Sequence, residues 1–364
     1  MTQSSITGEG DDDLDFVAIK THHYVTFTSV MTALSAIMNR MQQLRATFLF
    51  ALVSVAVSCS RSTERIADAN TPIILISIDT LRSDRLSCYG YNRGSSPNID
   101  AFRRDAILFE RAYSHCPMTL PSHASIFTGL LPTEHGVRNN IGYAFPRERL
   151  TTLAEIFRGR GYRTAAAVSS YVLRSETGID DGFELYDDAI PVAAEGAASQ
   201  HQRPGQATLS AASKWLEKNH GGPLFFFFHI YEPHAPYEPP EPYKSRHQDP
   251  YDGEVAAADA ITGAFLDSLK RLGIYDRAAI VLLSDHGEGL WDHGEDQHGV
   301  LLYRESVQVP LLIKLPRSER AGTTVSRPAQ LADVFHTLLA LGGVTASERS
   351  LLGDSPARPI YAET

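Results

Sequence analysis

The sequence predicts an α/β protein built on a central, mostly parallel sheet. Three observations lead to it. Apolar runs six to eight residues long recur along the chain, helical patterns lie between them, and polar residues with chemical potential close several of the runs. Strand alternating with helix is the pattern of a parallel sheet covered on both faces.

The elements follow in order. Thr71–Ile78 is a strand, because Ile73, Ile74, Leu75, Ile76 and Ile78 form a near-continuous run suited to burial on both faces. Further strands are expected at Thr164–Ser169, Leu224–Ile230, Ala278–Ser284 and Val309–Lys314. Helices are expected at Asn98–Arg104, Thr152–Gly159, Gln206–Asn219 and Gly253–Leu272. In the last of these, Val255, Ala258, Ile261, Phe265 and Leu269 recur at three- and four-residue spacing. Ile190–Pro204, rich in Ala, Gly and Gln, reads as a surface loop or insertion. No domain boundary is marked after residue 71.

The chain has 364 residues and a formal charge of −10, with no long block of Lys or Arg. A nucleic-acid surface is therefore excluded, since such binding depends on neutralising phosphates. Three cysteines cannot make a disulfide scaffold. Fourteen histidines are more telling, because eight of them (His115, His123, His135, His229, His234, His286, His293 and His298) lie in or beside four short segments. Of these, His115 and His135 are expected to be structural, and for His293 a rim position and a catalytic one are equally open.

Residues 1–37 are expected to be a non-native or disordered extension, with Met38 or Met41 as the initiator. Residues 38–59 have a signal peptide's shape: a basic start, 13 uncharged residues from Ala46 to Ser58, and small residues before Cys59. The run is shorter than the ~20 residues of a membrane span. Ala56-Val57-Ser58-Cys59 resembles a lipobox, which would make Cys59 a lipid anchor; a plain export signal cleaved near Ser58 is the alternative. Residues 60–70 form a tether, and the chain is expected to be exported to a bacterial periplasm or cell envelope.

In open α/β sheets ligands collect at the carboxyl ends of the strands. Here those ends supply Asp79-Thr80, His229 with Glu232-Pro233-His234, and Ser284-Asp285-His286-Gly287-Glu288. Two carboxylates and an imidazole at one sheet edge suit a divalent cation such as Ca²⁺, Mg²⁺, Mn²⁺ or Zn²⁺. Tyr231, Tyr237 and Tyr243, interleaved with prolines, are candidates for a substrate-facing wall.

The motifs, in this order, resemble the sulfatase family of the alkaline-phosphatase superfamily. The resemblance covers nearly all of residues 71–364. It rests on Ile78-Asp79-Thr80-Leu81-Arg82-Ser83-Asp84, on Thr119-Leu120-Pro121-Ser122-His123 running to Thr128-Gly129, and on His135-Gly136. It continues through His229 to Pro236, Ser284 to Glu288, His293-Gly294-Glu295, His298-Gly299 and Val309 to Ile313. It implies a three-layer sandwich with a central mostly parallel sheet and one divalent metal ion held by Asp79, Asp285 and His286. It also implies that His234 and His229 bind the substrate anion, that His298 lies near the family's Lys, and that Arg82 helps to neutralise anionic oxygens. Sulfatases usually continue past Tyr361–Thr364 into a small antiparallel subdomain. Residues 71–364 are accordingly expected to be a C-terminally truncated catalytic domain.

One departure concerns the nucleophile. Sulfatases carry Cys-x-Pro-x-Arg or Ser-x-Pro-x-Arg, whose first residue becomes formylglycine. Here that residue is Thr119, the proline is Pro121, and His123 stands where the Arg belongs. Threonine cannot become formylglycine, so none is expected; Cys116 lacks the Pro and Arg offsets and is expected to be a small buried or free thiol. A threonine hydroxyl whose pKa is lowered by the ion is a competent nucleophile. Thr119 would serve as both nucleophile and metal ligand, with His123, His234 and His298 on the substrate's oxygens. The resemblance thus implies an exported hydrolase of small anionic sulfate or phosphate esters. Two alternatives stand beside it: a phosphodiesterase or phospho-alcohol transferase of envelope lipids or glycans, and an inactive binding homologue. Substrate identity, the particular metal and the oligomeric state have no sequence signal.

Overall fold

A computed structural model of the protein describes residues 70–364 except 94–95, 192–200, 345–346, 354–355 and 357, together with 32 and 34–43. The chain divides into two units, Met1–Glu64 and Arg65–Thr364. Of the first, the description covers only exposed helical residues up to 43. Cys59, the rest of the leader-like segment and the tether through residue 69 lie outside the described residues. Among those described, no helix is long and apolar enough to cross a membrane.

In the second unit the strands are β1 (Ile73–Ile78), β2 (Ile107–Phe109), β3 (Ala112–Tyr113), β4 (Arg163–Ala167), β5 (Leu185–Asp187) and β6 (Leu224–Ile230). They continue with β7 (Ala279–Leu283), β8 (Gln308–Val309), β9 (Leu311–Lys314), β10 (Thr324–Val325) and β11 (Ala329–Gln330). The main helices are α1 (Pro97–Asp105), α2 (Thr119–Thr128), α3 (Leu153–Gly159), α4 (Gly205–Asn219), α5 (Pro250–Arg271) and α6 (Ala332–Leu341). Among the described residues, one eight-stranded sheet runs β10-β2-β9-β7-β1-β6-β4-β5, and a small second sheet runs β11-β3-β8. Strand β9 is antiparallel to both its neighbours, whereas β1, β4, β6 and β7 pair in parallel.

Alternate residues of the central strands feed two cores, as the period of two requires. Ile73, Leu75, Phe225, Phe227, Val281 and Leu283 meet α2, α3 and α6 through Leu120, Phe127, Phe157 and Leu338. Ile74, Ile76, Phe226, Phe228, Ile280 and Leu282 face the other way, against Ile99, Phe102, Leu216, Val255 and Phe265 of α1, α4 and α5. The result is the three-layer α/β/α sandwich. The four consecutive phenylalanines of β6 are thus core residues shared between the layers.

The expected single strand Val309–Lys314 is instead two. Pro310 has no N–H for a ladder, and the chain changes sheets there, with Gln308–Val309 in the small sheet and Leu311–Lys314 in the large one. Helices α2 and α6 are not among the sequence-based elements. In α2 all ten residues are buried, so it lacks the apolar stripe by which a surface helix is recognised. Thr152 is the N-cap of α3, and its hydroxyl and Glu155 form a reciprocal capping box. At the start of the loop expected at Ile190–Pro204, residues 192–200 lie outside the described residues, while Gln202 bridges to Ser170.

Candidate active site

The central strands deliver their terminal residues to one level, because Ser77 of β1 is in register with both His229 of β6 and Leu283 of β7. Asp79 follows β1 by one residue, Asp285 follows β7 by two, and the two turns are tied together. The Thr80 N–H donates to Asp285 Oδ1 at 3.4 Å and the Leu81 N–H to Ser284 Oγ at 2.9 Å. Thr80 itself has φ +54°, a left-handed conformation costly for a β-branched residue. Its carbonyl accepts from Tyr251 Oη at 2.7 Å, which holds the turn in place.

Asp79, Asp285 and His286 are fully buried and place one donor atom each within 4.8 Å of one another. His286 Nδ1 donates to the Gly287 carbonyl at 3.0 Å, so Nε2 presents its lone pair to the carboxylates. That Nε2 is 3.6 Å from Asp79 Oδ1 and 3.5 Å from Asp285 Oδ2. Asp79 Oδ2 and Asp285 Oδ2 have no hydrogen-bond partner. Burial pushes both carboxyls above the usual range, and for Asp285 the Asp79 charge adds to the rise. Two buried carboxylates with orphaned oxygens beside an imidazole lone pair make a donor set that fits a divalent cation.

Thr119 opens α2, and its Oγ1 lies 3.3 Å from His286 Nε2 and 3.5 Å from Asp79 Oδ1. The helix N-terminus beneath it favours negative charge, and Asn140 Oδ1 accepts the Leu120 N–H at 2.8 Å. Above Thr119 is a cavity of about 250 Å³, which His234 and His298 also line. His234 Nδ1 donates to the Ala235 carbonyl at 2.7 Å and His298 Nδ1 to Glu288 Oε1 at 2.9 Å. Each ring therefore keeps Nε2 as its free nitrogen. Burial holds His234 down to about 4 and His298 well below its ordinary value.

Three residues expected at the substrate do not reach this cavity. His123 is fully buried under Thr119, with Nδ1 donating to the Thr119 carbonyl at 2.7 Å and Nε2 accepting from Ser77 Oγ at 3.0 Å. Both ring nitrogens are occupied, so it supports the start of α2 instead of facing an anion. His229 sits behind the carboxylates, with Nε2 3.5 Å from Asp79 Oδ2, and lies close to His123 and Asp285, but His123 has no free nitrogen to offer an ion. The Arg82 guanidinium is spent on Asp84, on Asp292 at 2.8 Å and on the Glu288 carbonyl at 3.2 Å. It is neutralised and cannot balance substrate oxygens. Of the three tyrosines, Tyr231 lines the cavity while Tyr237 packs edge-on against Tyr251.

Two contributors have no role in the sequence reading. Glu288 stands within a recognised motif, but only the fold brings it to His298; Asn140 has no motif at all. His135 is structural as expected, donating from Nε2 to Ser125 Oγ at 3.0 Å and accepting the Val137 N–H at Nδ1 at 3.1 Å. Cys116 is buried, its thiol pushed up to about 12 by burial.

A family model described as Sulfatase matches residues 71–344. An ulvan-active sulfatase of Formosa agariphila is 27% identical over 342 residues, covering 79% of this chain and 65% of that protein. An arylsulfatase of Clostridium perfringens is 22% identical, covering 73% of this chain and 74% of the relative. The chain thus spans about two thirds of the length of the first of these relatives. Among solved structures, the phosphonate monoester hydrolase of Agrobacterium radiobacter superposes with a TM-score of 0.63 at 21% identity, covering 75% of this chain and 74% of that one. A putative sulfatase from Bacteroides fragilis gives 0.65 at 18% identity, with 78% and 76% covered.

Proposed function

The chain belongs to the sulfatase family, and on that premise we propose that it is a metal-dependent hydrolase of sulfate or phosphate esters with Thr119 as its nucleophile. One observation carries the reading. Thr119 Oγ1 converges with the donor atoms of Asp79, Asp285 and His286 at the floor of a cavity that His234 and His298 line.

Asp79, Asp285 and His286 would hold the cation. When bound, a divalent ion there supplies Lewis acidity that polarises a substrate oxygen and lowers the pKa of a neighbouring hydroxyl. Thr119 is oriented by the first turn of α2, so its Oγ1 faces the head of an entering ester. The bond from Oγ1 to sulfur or phosphorus forms as the bond to the leaving oxygen breaks. His234 and His298 present Nε2 to the same space, where each can share a proton with a substrate oxygen. One of these nitrogens takes up the proton released by the Thr119 hydroxyl and passes it to the leaving oxygen, which completes the alcohol. Water then hydrolyses the threonine ester and restores the hydroxyl.

The test is turnover of aryl sulfate, aryl phosphate and aryl methylphosphonate by purified protein supplied in turn with Ca²⁺, Mg²⁺, Mn²⁺ and Zn²⁺. Thr119→Ala is expected to lower kcat by about a thousandfold or more, as loss of a nucleophile does. Turnover by Thr119→Ala at the unaltered rate would refute the assignment. The reading includes export, supported by the leader-like residues 38–59. Mass spectrometry of the mature chain is expected to find its first residue at or just before Cys59; an N-terminus upstream of residue 50 removes the export proposal.

A further inference from the structure

The cavity above Thr119 is larger than a tetrahedral anion requires. Beyond Thr119, His234 and His298 its wall is Ile141, Tyr171, Val172 and Tyr231, completed by neutral amide and hydroxyl groups. Among the described residues no Lys, Arg, Asp or Glu lines it. We propose that this outer part is the leaving-group subsite, shaped for an uncharged alcohol about one ring in size with an apolar face, and that it excludes a second anionic group. The proposal rests on the hydrolytic reading and specifies the substrate class of that site.

The cavity measures about 250 Å³, and an apolar cavity of about 150 Å³ is enough for a benzene ring. Space remains for the anionic head at Thr119.

Tyr171 begins the turn Tyr171–Leu173 that follows β4. The Arg174 guanidinium lies 3.9 Å from its ring centroid and the His201 ring 5.3 Å away. A ring held by two neighbours is a fixed wall and a stacking surface. Arg174 stacks on that ring and lies 3.5 Å from Glu176 without a hydrogen bond from its Nε, and it does not line the cavity.

A second sulfate or carboxylate on the alcohol would enter a space with no cation to meet it, and a desolvated charge without a partner is strongly disfavoured. The imidazoles are already committed to the head. A polyanionic glycan is therefore a poor fit, whereas an ester with one negative charge and a neutral ring is a good one.

The experiment compares phenyl sulfate, 4-carboxyphenyl sulfate and methyl sulfate on the Mn²⁺-supplied protein, with the three methylphosphonate monoesters in parallel. The carboxylate lies across the ring from the scissile bond and alters the leaving group little. Phenyl over 4-carboxyphenyl is expected by at least tenfold in kcat/KM. Tyr171→Ala should narrow the phenyl-over-methyl preference about tenfold, and Val172→Arg should relieve the discrimination against the carboxylate. Equal turnover of the phenyl and carboxyphenyl esters overturns the subsite while leaving hydrolysis standing. Calorimetric binding to Thr119→Ala separates the two ideas further. Tighter binding of phenyl than of carboxyphenyl ester supports the subsite even if the unaltered chain turns over neither, and failure to bind the phenyl ester overturns it.

Discussion

The carboxyl of Glu288, pushed up to about 8 by burial, pairs with His298 and so decides which nitrogen of that ring meets the substrate. It is fully buried, its Oε1 accepts from His298 Nδ1 at 2.9 Å, and the ring is thereby locked with Nε2 outward. Partners of this kind typically matter ten- to a hundredfold for the residue they orient. Glu288→Gln is expected to lower kcat by about that factor for esters of poor leaving groups such as methanol. The loss should be much smaller for 4-nitrophenol, which departs without a proton; an equal loss on both would make Glu288 merely structural. Legibility at this scale was uneven. Thr119, Asp79, Asp285 and His286 could be named because their neighbours in sequence form motifs. His123 was misplaced on the substrate's oxygens, because its spacing from Thr119 says nothing about which side of a wholly buried helix it occupies. Arg82 was misjudged although one of its two carboxylate partners, Asp84, is only two residues away; the other, Asp292, is 210 residues along the chain.

Among the elements, the turn after β7 is held most tightly. A Cβ on Gly287 would fall 1.8 Å from the Glu305 carbonyl oxygen, so only glycine permits the close crossing that places His286 and Glu288 on either side of it. Gly287→Ala must displace one of the two segments. Weakening of Mn²⁺ binding by at least tenfold in calorimetry is expected, with the far-ultraviolet circular dichroism retained; unchanged affinity would show that the turn yields without disturbing the ligands. Strands β1, β6 and β7 were readable from their continuous apolar runs, and α5 from its three- and four-residue spacing. The two- and three-residue strands β2, β3, β5, β10 and β11 were not. They are too short to show a period, and only their partners across the sheets define them.

For the whole molecule, buried neutral histidines are expected to contribute to the acid limit of stability. His135 lies outside the candidate site and is fully buried, and burial brings it down from an ordinary 6.5 to about 4. The unfolded chain therefore takes up a proton between those values that the folded chain refuses. The stability from this group is fully present above pH 6.5 and is lost as pH falls through about 4. His135→Gln, which can still accept the Val137 N–H, should flatten the fall of unfolding free energy between pH 6.5 and 4, by on the order of 3 kcal/mol. An identical pH profile for the variant would place the acid limit elsewhere. The layered architecture was legible from the alternation of strands and helices, but the division of work between faces was not. Nothing in the spacing said that α2, α3 and α6 share one side of the sheet and α1, α4 and α5 the other.

Helix α2 has no solvent-facing residue among its ten. It offers no position where sequence can drift freely, since each change must match the volume and polarity of what surrounds it. Helix α4 buries only a stripe and tolerates polar replacement over most of its surface. Random substitution should therefore accumulate on the outer helices first. The segment bearing the attacking hydroxyl would remain readable after much of the chain around it had changed.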